Sequence, residues 1–295
     1  MQFAKTTTEH IPLLEKYFSK QTYRTCDYSV GACMMWRKYF DTHHAEFGGF
    51  LIFKIKMSDG RTAFSYPVGE GDIGAVLDEL QKQEQSDGIP FILSDIPQEA
   101  VSFLEEKYGG SVEISTDRDT WDYLYEADKM ATFSGKKLSA QRNRVHKFFR
   151  TYDGARFLEI DENNKEAAKQ FCVLFTRSEQ NHKNISDEEA RSSIELFDYM
   201  DKLHAFGGIV EYDGKIIGVS IGEIVGDTMF IHVEKALHEY SGVYQALVNS
   251  FAAHYANDTV KYINREEDDG VEGLRISKMS YRPCKLLEKF TAIVR

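Results

Sequence analysis

The sequence predicts a mixed α/β (α+β) protein made of two similar domains in tandem. Strand-like and helix-like periodicities alternate along the 295 residues. Turn signals at Asp59-Gly60, Asp213-Gly214 and Gly226-Asp227 break apolar runs into hairpin-sized pieces. Phe47-Gly48-Gly49 and Phe206-Gly207-Gly208 each open an apolar strand that ends in an Asp-Gly turn, an echo expected of a repeat. The expected division is 1–134 and 153–295, with a basic linking helix over 135–152.

Composition narrows the class further. The chain is 42% hydrophobic and 28% charged with only 5 Pro, a globular balance that excludes disordered and collagen-like chains. Its net charge of -11 argues against a general nucleic-acid coat and leaves room only for a local basic patch. The longest apolar runs, Phe50–Phe53 and Lys215–Ile221, are too short to span a bilayer, and the first residues lack the apolar core of a signal peptide. Cys26, Cys33, Cys172 and Cys284 form no C-x-x-C or zinc spacing, so reduced thiols and a cytoplasmic location are expected.

In chain order, Ile11–Phe18 reads as a short helix with Pro12 in its first turn. Cys26–Phe40 reads as a strand leading into a helix, with Met34, Met35, Trp36, Tyr39 and Phe40 as core. His43-His44 is no metal pair, because adjacent side chains diverge and no third ligand lies nearby. A hairpin follows around Asp59-Gly60, then a helix over 72–83 closing in the polar stretch Gln83–Gly88. A buried strand at Pro90–Ser94 precedes a helix over 98–108 closed by Gly109-Gly110, and Val112–Ile114 and Trp121–Tyr125 are strands.

From Gly135 to Arg150 the chain carries its densest positive charge. As a helix it buries Leu138, Val145, Phe148 and Phe149 and exposes Lys136, Asn143, Lys147 and Arg150, with Arg142 and Arg144 flanking. That face is either a solvated surface paired with nearby acids or a seat for a phosphate-bearing substrate such as an RNA end. Beyond it, Ala155–Ile160 is a strand and Asn164–Ser178 a helix. Another helix opens at Ile185-Ser186, with Ser186 as N-cap and Glu189 at the capping-box position. A meander then runs from Phe206 through Thr228, and Val260–Asn264 and a closing helix-to-strand segment over Leu286–Val294 complete the pattern.

The stretch from Asp227 to Tyr255 is the most informative. By alternation, Met229, Ile231 and Val233 fall on one strand face and Phe230, His232 and Glu234 on the other. A helix opens at Ser241-Gly242 with Val243, Leu247, Phe251 and Tyr255 along one stripe. The arrangement delivers His232 and Glu234 as acid–base candidates beside a helix N-terminus, whose free N–H groups suit a phosphate or an oxyanion. The alternative is a buried strand and core helix with polar residues at their ends. After Asn264, Glu266, Glu267 and Asp268 offer hard oxygens for a cation such as Mg²⁺ or form a solvated acidic loop. Arg265, Arg275, Lys278 and Arg282 lie just past a strand end, where α/β sheets tend to place ligands.

Taken together, the Phe230–Glu234 strand, Gly242-Val-Tyr-Gln-Ala-Leu, the basic Gly135-Lys-Lys-Leu…Gln-Arg-Asn-Arg…Phe148 segment and Asn264-Arg-Glu-Glu-Asp…Gly273-Leu-Arg-Ile-Ser-Lys-Met-Ser-Tyr-Arg-Pro283 resemble one family. It is the soluble catalytic domain of phosphatidylglycerol lysyltransferases and their stand-alone relatives, a domain of unknown function family. The resemblance implies two tandem N-acetyltransferase-like (GNAT-like) domains, each a mixed, largely antiparallel sheet flanked by helices. It also implies transfer of an aminoacyl group from charged tRNA to an acceptor. Leu237–Tyr244 departs from the Gln/Arg-x-x-Gly-x-Gly/Ala loop with which acetyltransferases hold CoA, and the flippase portion of the lysyltransferases has no counterpart here.

The expected function is therefore acyl or aminoacyl transfer in the second domain, to an amine or hydroxyl of a small molecule or lipid headgroup. Glu234 or His232 is the expected base, and the Ser241-Gly242 amides are the expected oxyanion donors. Arg265, Arg275 and Lys278 are expected phosphate contacts, with Arg142, Arg144 and Lys147 on a tRNA end. Acyl-CoA or aminoacyl-tRNA is the expected donor, and no metal or resident cofactor is assigned. A ligand-binding or regulatory protein on the same fold is the alternative.

Overall fold

The β-branched and aromatic runs do form strands, and they assemble into two separate mixed sheets. The computed structural model describes residues 1–57, 59–85, 90–178 and 186–295, which divide into two compact units. The first holds Met1–Asp122, Glu267–Gly270 and Leu287–Arg295; the second holds Tyr123–Glu266 and Val271–Leu286.

In the first unit the strands are β1 (Ala4–Lys5), β2 (His43–Phe47), β3 (Phe50–Lys56), β4 (Thr62–Ser65), β5 (Val68–Gly69), β6 (Phe91–Pro97) and β7 (Val112–Thr116). They are joined by the C-terminal β15 (Lys289–Val294) in the order β1-β2-β3-β4-β6-β15-β7, with β5 on β3. Every pair is antiparallel except β4 with β6. That parallel junction needs a crossover, which α3 (Ile73–Gln85) supplies. Its Val76, Leu77 and Leu80 pack with Leu104 of α4 (Gln98–Tyr108) onto Ile52, Phe64, Leu93 and Ala292. Helices α1 (Ile11–Phe18) and α2 (Val30–Trp36) complete the unit.

The second unit begins with β8 (Asp122–Glu126), α5 (Ala127–Thr132), α6 (Ser139–Thr151) and β9 (Arg156–Glu159). It continues with α7 (Lys165–Arg177), α8 (Asp187–Tyr199), β10 (Phe206–Tyr212), β11 (Lys215–Val225), β12 (Thr228–Ala236) and α9 (Val243–Tyr255). The last elements are β13 (Tyr262–Asn264), α10 (Glu272–Ser280) and β14 (Lys285–Leu287). The sheet runs β14-β8-β13-β12-β11-β10-β9, with β12 and β13 parallel across the α9 crossover. Val248 and Phe251 of α9 pack with Met229, Ile231, Ile263, Tyr125 and Tyr281.

The fold class matches the expectation of mixed sheets flanked by helices, and several details differ. Residues 123–134 and the basic helix α6 group with the second unit, because β8 pairs with β13 in that sheet. The segment Cys26–Tyr28 is a 3-10 turn rather than a strand, and Tyr39 is 47% exposed rather than core. Leu286–Val294 is strand throughout apart from Glu288, with no helix. The Phe-Gly-Gly echo falls on unlike places: Gly48 and Gly49 turn between β2 and β3 with positive φ, whereas Gly207 and Gly208 lie inside β10. Ser186 caps α8 as expected, accepting from the Glu189 amide at 3.0 Å, while Ile185 and residues 86–88 of the polar stretch lie outside the described residues. Among the described residues no helix is long and apolar enough to cross a membrane.

Candidate functional site

Strand β12 pairs with β11 through a one-residue bulge, and that bulge decides where the polar side chains go. Val233 sits opposite Ile221 and Ile231 opposite Gly222, which leaves His232 as the extra residue. Glu234, opposite Ser220, therefore shares a face with Ile231, and both line one small cavity with Ser220, Met130, Val248, Phe251, Ala252, Ile263 and Arg265. The expectation that His232 and Glu234 share a face is corrected here: simple alternation does not survive the bulge.

The His232 ring is fully enclosed. Its Nε2 lies 3.1 Å from Glu223 Oε1 on β11, and its Nδ1 lies 2.8 Å from Glu266 Oε1 just after β13. Burial alone would lower its pKa, but the hydrogen bonds and charges of Glu223 and Glu266 more than reverse this and push it up to about 10. The ring is thus an imidazolium at neutral pH with both N–H groups committed. A protonated ring has no lone pair for a proton, and both ring nitrogens already face carboxylates, which counts against His232 as the base.

Glu234 fares differently. Both of its oxygens face Arg265, with Oε2 at 3.2 Å from Nε and Oε1 at 2.5 Å from Nη2, in the bidentate geometry that favours arginine. The Arg265 guanidinium lies 4.6 Å from the Tyr281 ring centroid and 5.7 Å from that of Tyr125. Burial alone would lower the Arg265 pKa, but Glu234 and the two tyrosines outweigh it and hold the group cationic. Arg265 Nη1 is buried with no hydrogen-bond partner, although Arg265 lines the cavity that Glu234 also lines. That donor is the one polar atom of the Glu234–Arg265 pair left without a partner, beside a cavity of about 10 Å³.

The other sequence candidates are placed elsewhere. The Ser241 amide donates to the Tyr152 hydroxyl at 3.1 Å, so it is already satisfied. Gly242 has φ +94, and an added Cβ would sit 3.1 Å from the Arg144 carbonyl oxygen and 3.2 Å from Phe148 Cβ. The N-terminus of α9 is therefore covered by α6 at this point. Lys278 is buried, and its ammonium donates to the carbonyls of Arg265 at 2.5 Å and Glu266 at 3.3 Å. Arg275 is half-buried on α10. On α6, Arg142 donates to the carbonyls of Phe133 and Gly135, whereas Arg144 and Lys147 are exposed.

The acidic run is half-buried at Glu266 and Glu267, buried at Asp268 and exposed at Asp269, and its first three carboxylates each face a basic side chain. Glu266 holds His232, Glu267 lies 3.1 Å from Lys289 Nζ, and the fully buried Asp268 carboxylate lies 3.2 Å from Arg118. Cys26, Asp122 and Glu267 come close enough to share a metal ion. Lys289 Nζ, however, stands 3.3 Å from Cys26 Sγ, 3.0 Å from Asp122 and 3.1 Å from Glu267, so an ammonium already supplies the cation. Sequence reasoning missed Glu223, Tyr125 and Tyr281. Glu223 carried one usable signal, an acid near the end of a largely apolar strand.

Comparison with known proteins places these elements in a family. The sequence model described as phosphatidylglycerol lysyltransferase, C-terminal, matches residues 20–293. A conserved protein of unknown function from Bacteroides thetaiotaomicron superposes with a TM-score of 0.95 at 29% identity, covering 100% of both chains. The C-terminal domain (DUF2156) of a putative lysylphosphatidylglycerol synthetase from Agrobacterium fabrum has a TM-score of 0.68 at 14% identity, covering 97% of this chain and 92% of that one. L-PGS from Bacillus licheniformis has a TM-score of 0.64 at 15% identity, covering 96% and 91%. The last two likenesses speak for the fold alone.

Proposed function

We propose a group-transfer reaction from one premise: the chain belongs to the phosphatidylglycerol lysyltransferase C-terminal family. The reaction is acyl or aminoacyl transfer in the second unit, from an aminoacyl-tRNA to an amine or hydroxyl on a small molecule or lipid headgroup. The observation that carries this reading is the Glu234–Arg265 pair with the buried, unbonded Nη1 of Arg265.

Transfer from an ester needs a proton acceptor for the nucleophile and a donor for the oxyanion. The acceptor's lone pair attacks the ester carbonyl, and Glu234 takes the acceptor's proton. The carbonyl oxygen becomes anionic and accepts from Arg265 Nη1. Collapse of the tetrahedral species breaks the ester bond, and the departing ribose oxygen takes the proton back from Glu234. Exposed Arg144 and Lys147 on α6 suit the phosphates of the tRNA end. An acyl-CoA donor has less support, because the Ser241 amide and Gly242 are occupied by Tyr152 and backed by α6.

One observation favours the second reading, a non-catalytic ligand-binding or regulatory protein: Arg265 engages both Glu234 oxygens. A transfer assay with a labelled aminoacyl-tRNA pool and amine or hydroxyl acceptors separates the two. The transfer reading expects turnover in the wild type and a loss of about 100-fold in Glu234→Gln and in Arg265→Met. Equal turnover in wild type and both variants would remove these residues from the chemistry. Thermal stabilisation by a metabolite without an acyl group, with no turnover, would favour the second reading.

A further inference from the structure

Helix α10 inverts the usual burial of an amphipathic helix. Its one buried residue is Lys278, whereas Ile276 is 63% exposed and Met279 42%. Burying an ammonium costs several kcal/mol unless its protons are received. Here Nζ donates to two consecutive main-chain carbonyls, those of Arg265 and Glu266, and lies 5.7 Å from the Tyr123 ring centroid. The Lys278 carbonyl is itself fixed by the Tyr125 hydroxyl at 2.9 Å, and the Glu266 carbonyl also accepts from the Tyr123 amide at 3.3 Å.

The clamped residues are the two whose side chains serve the site. Arg265 faces Glu234, and Glu266 faces His232. Glu266 also holds φ at +56, a left-handed conformation that an L side chain resists. A conformation of that kind persists only where surrounding bonds enforce it.

We propose that Lys278 is a positioning residue, clamping the Arg265–Glu266 main chain in its left-handed turn so that Arg265 meets Glu234 and Glu266 meets His232. Its consequence for turnover rests on the transfer reading; its consequence for geometry does not. A misplacement of about 1 Å in such a constellation costs on the order of 100-fold in rate.

The experiment compares Lys278→Met and Lys278→Arg with the wild type, using ¹⁵N NMR of the His232 imidazole from about pH 6 to about pH 11 and the transfer assay. The wild type shows a doubly protonated ring with two bonded N–H groups. In Lys278→Met the Nδ1–H signal is lost or the ring titrates at least about one pH unit lower, and kcat falls at least about tenfold while KM for the donor changes less than about twofold. Lys278→Arg, which can still donate to both carbonyls, keeps the ring signature and recovers part of kcat. A folded Lys278→Met with an unchanged His232 signature overturns the proposal. If Lys278→Met does not fold, Lys278→Arg decides, with a retained signature supporting the clamp and a lost one overturning it. Should the wild type transfer from no donor, the transfer reading fails alone, and the His232 signature still judges the clamp.

Discussion

His232 Nδ1 lies 2.8 Å from Glu266 Oε1, and the opposite ring nitrogen lies 3.1 Å from Glu223 Oε1. One imidazolium therefore ties β11, the bulge of β12 and the turn after β13 at a single buried point. The arrangement stabilises only while the ring is charged. Its value of about 10 lies above the ordinary 6.5, so the contribution is complete below pH 6.5 and is lost as pH rises through 10.

Denaturant unfolding from about pH 6 to about pH 10 is expected to show stability falling across that window. His232→Phe should remove the slope and cost about 3–5 kcal/mol at neutral pH, because buried Glu223 and half-buried Glu266 lose the cation between them. A wild-type stability that is flat over this range would refute the imidazolium assignment.

Lys289 plays the matching part in the first unit. Burial alone would raise the Glu267 pKa, but Lys289 and the hydrogen bonds around it pull the carboxyl down to about 2. The folded value is below the ordinary 4.5, so its stabilisation is present above pH 4.5 and lost as pH falls through about 2. Lys289→Met is expected to cost about 3–5 kcal/mol at pH 7 and to abolish that acid limb, measured by urea unfolding between about pH 2 and about pH 5. An acid limb of unchanged size in Lys289→Met would count against the pairing.

The helices and strands were legible because each buries a periodic stripe, as α1, α4 and α9 do over the spans their apolar spacing indicates. The assembly of the sheets was not. β15 enters the first sheet between β6 and β7, and β8 enters the second between β13 and β14. No local pattern records such long-range pairing, so a division at one point of the chain was the natural expectation. Glu234 was found from its place on the strand that leads to a helix N-terminus, and Arg265 from its position past a strand end. The separation of His232 from Glu234 was hidden because a bulge depends on the partner strand's register. Lys278 looked like a phosphate contact because charge in a sequence does not reveal burial.

Gly208 has φ outside the left-handed region, so its role is spatial. A Cβ there would fall 2.1 Å from Phe157 Cζ, and that ring packs on Phe251, His254 and Tyr255. Gly208→Ala should lose about 1–3 kcal/mol, and Gly208→Ala with Phe157→Leu should lose less than the two single changes added together. Additive losses in a double-mutant cycle would show that the two residues are not in steric conflict.

The basic helix α6 separates structural from available charge. Arg142 donates to the Phe133 and Gly135 carbonyls just after α5, where Phe133 takes φ +44, so it is committed to that turn. Arg144 and Lys147 are exposed, and Arg144 also donates to Gln141 Oε1 at 3.4 Å. Arg142→Ala should therefore lower stability by about 1–2 kcal/mol, seen as a fall in Tm. The double variant Arg144→Glu with Lys147→Glu should leave Tm nearly unchanged while weakening tRNA binding and reducing the slope of log Kd against log salt by about 2. Filter binding at several salt concentrations measures this. An unchanged salt slope in the double variant would take α6 out of the tRNA interface and leave its positive face as solvated surface.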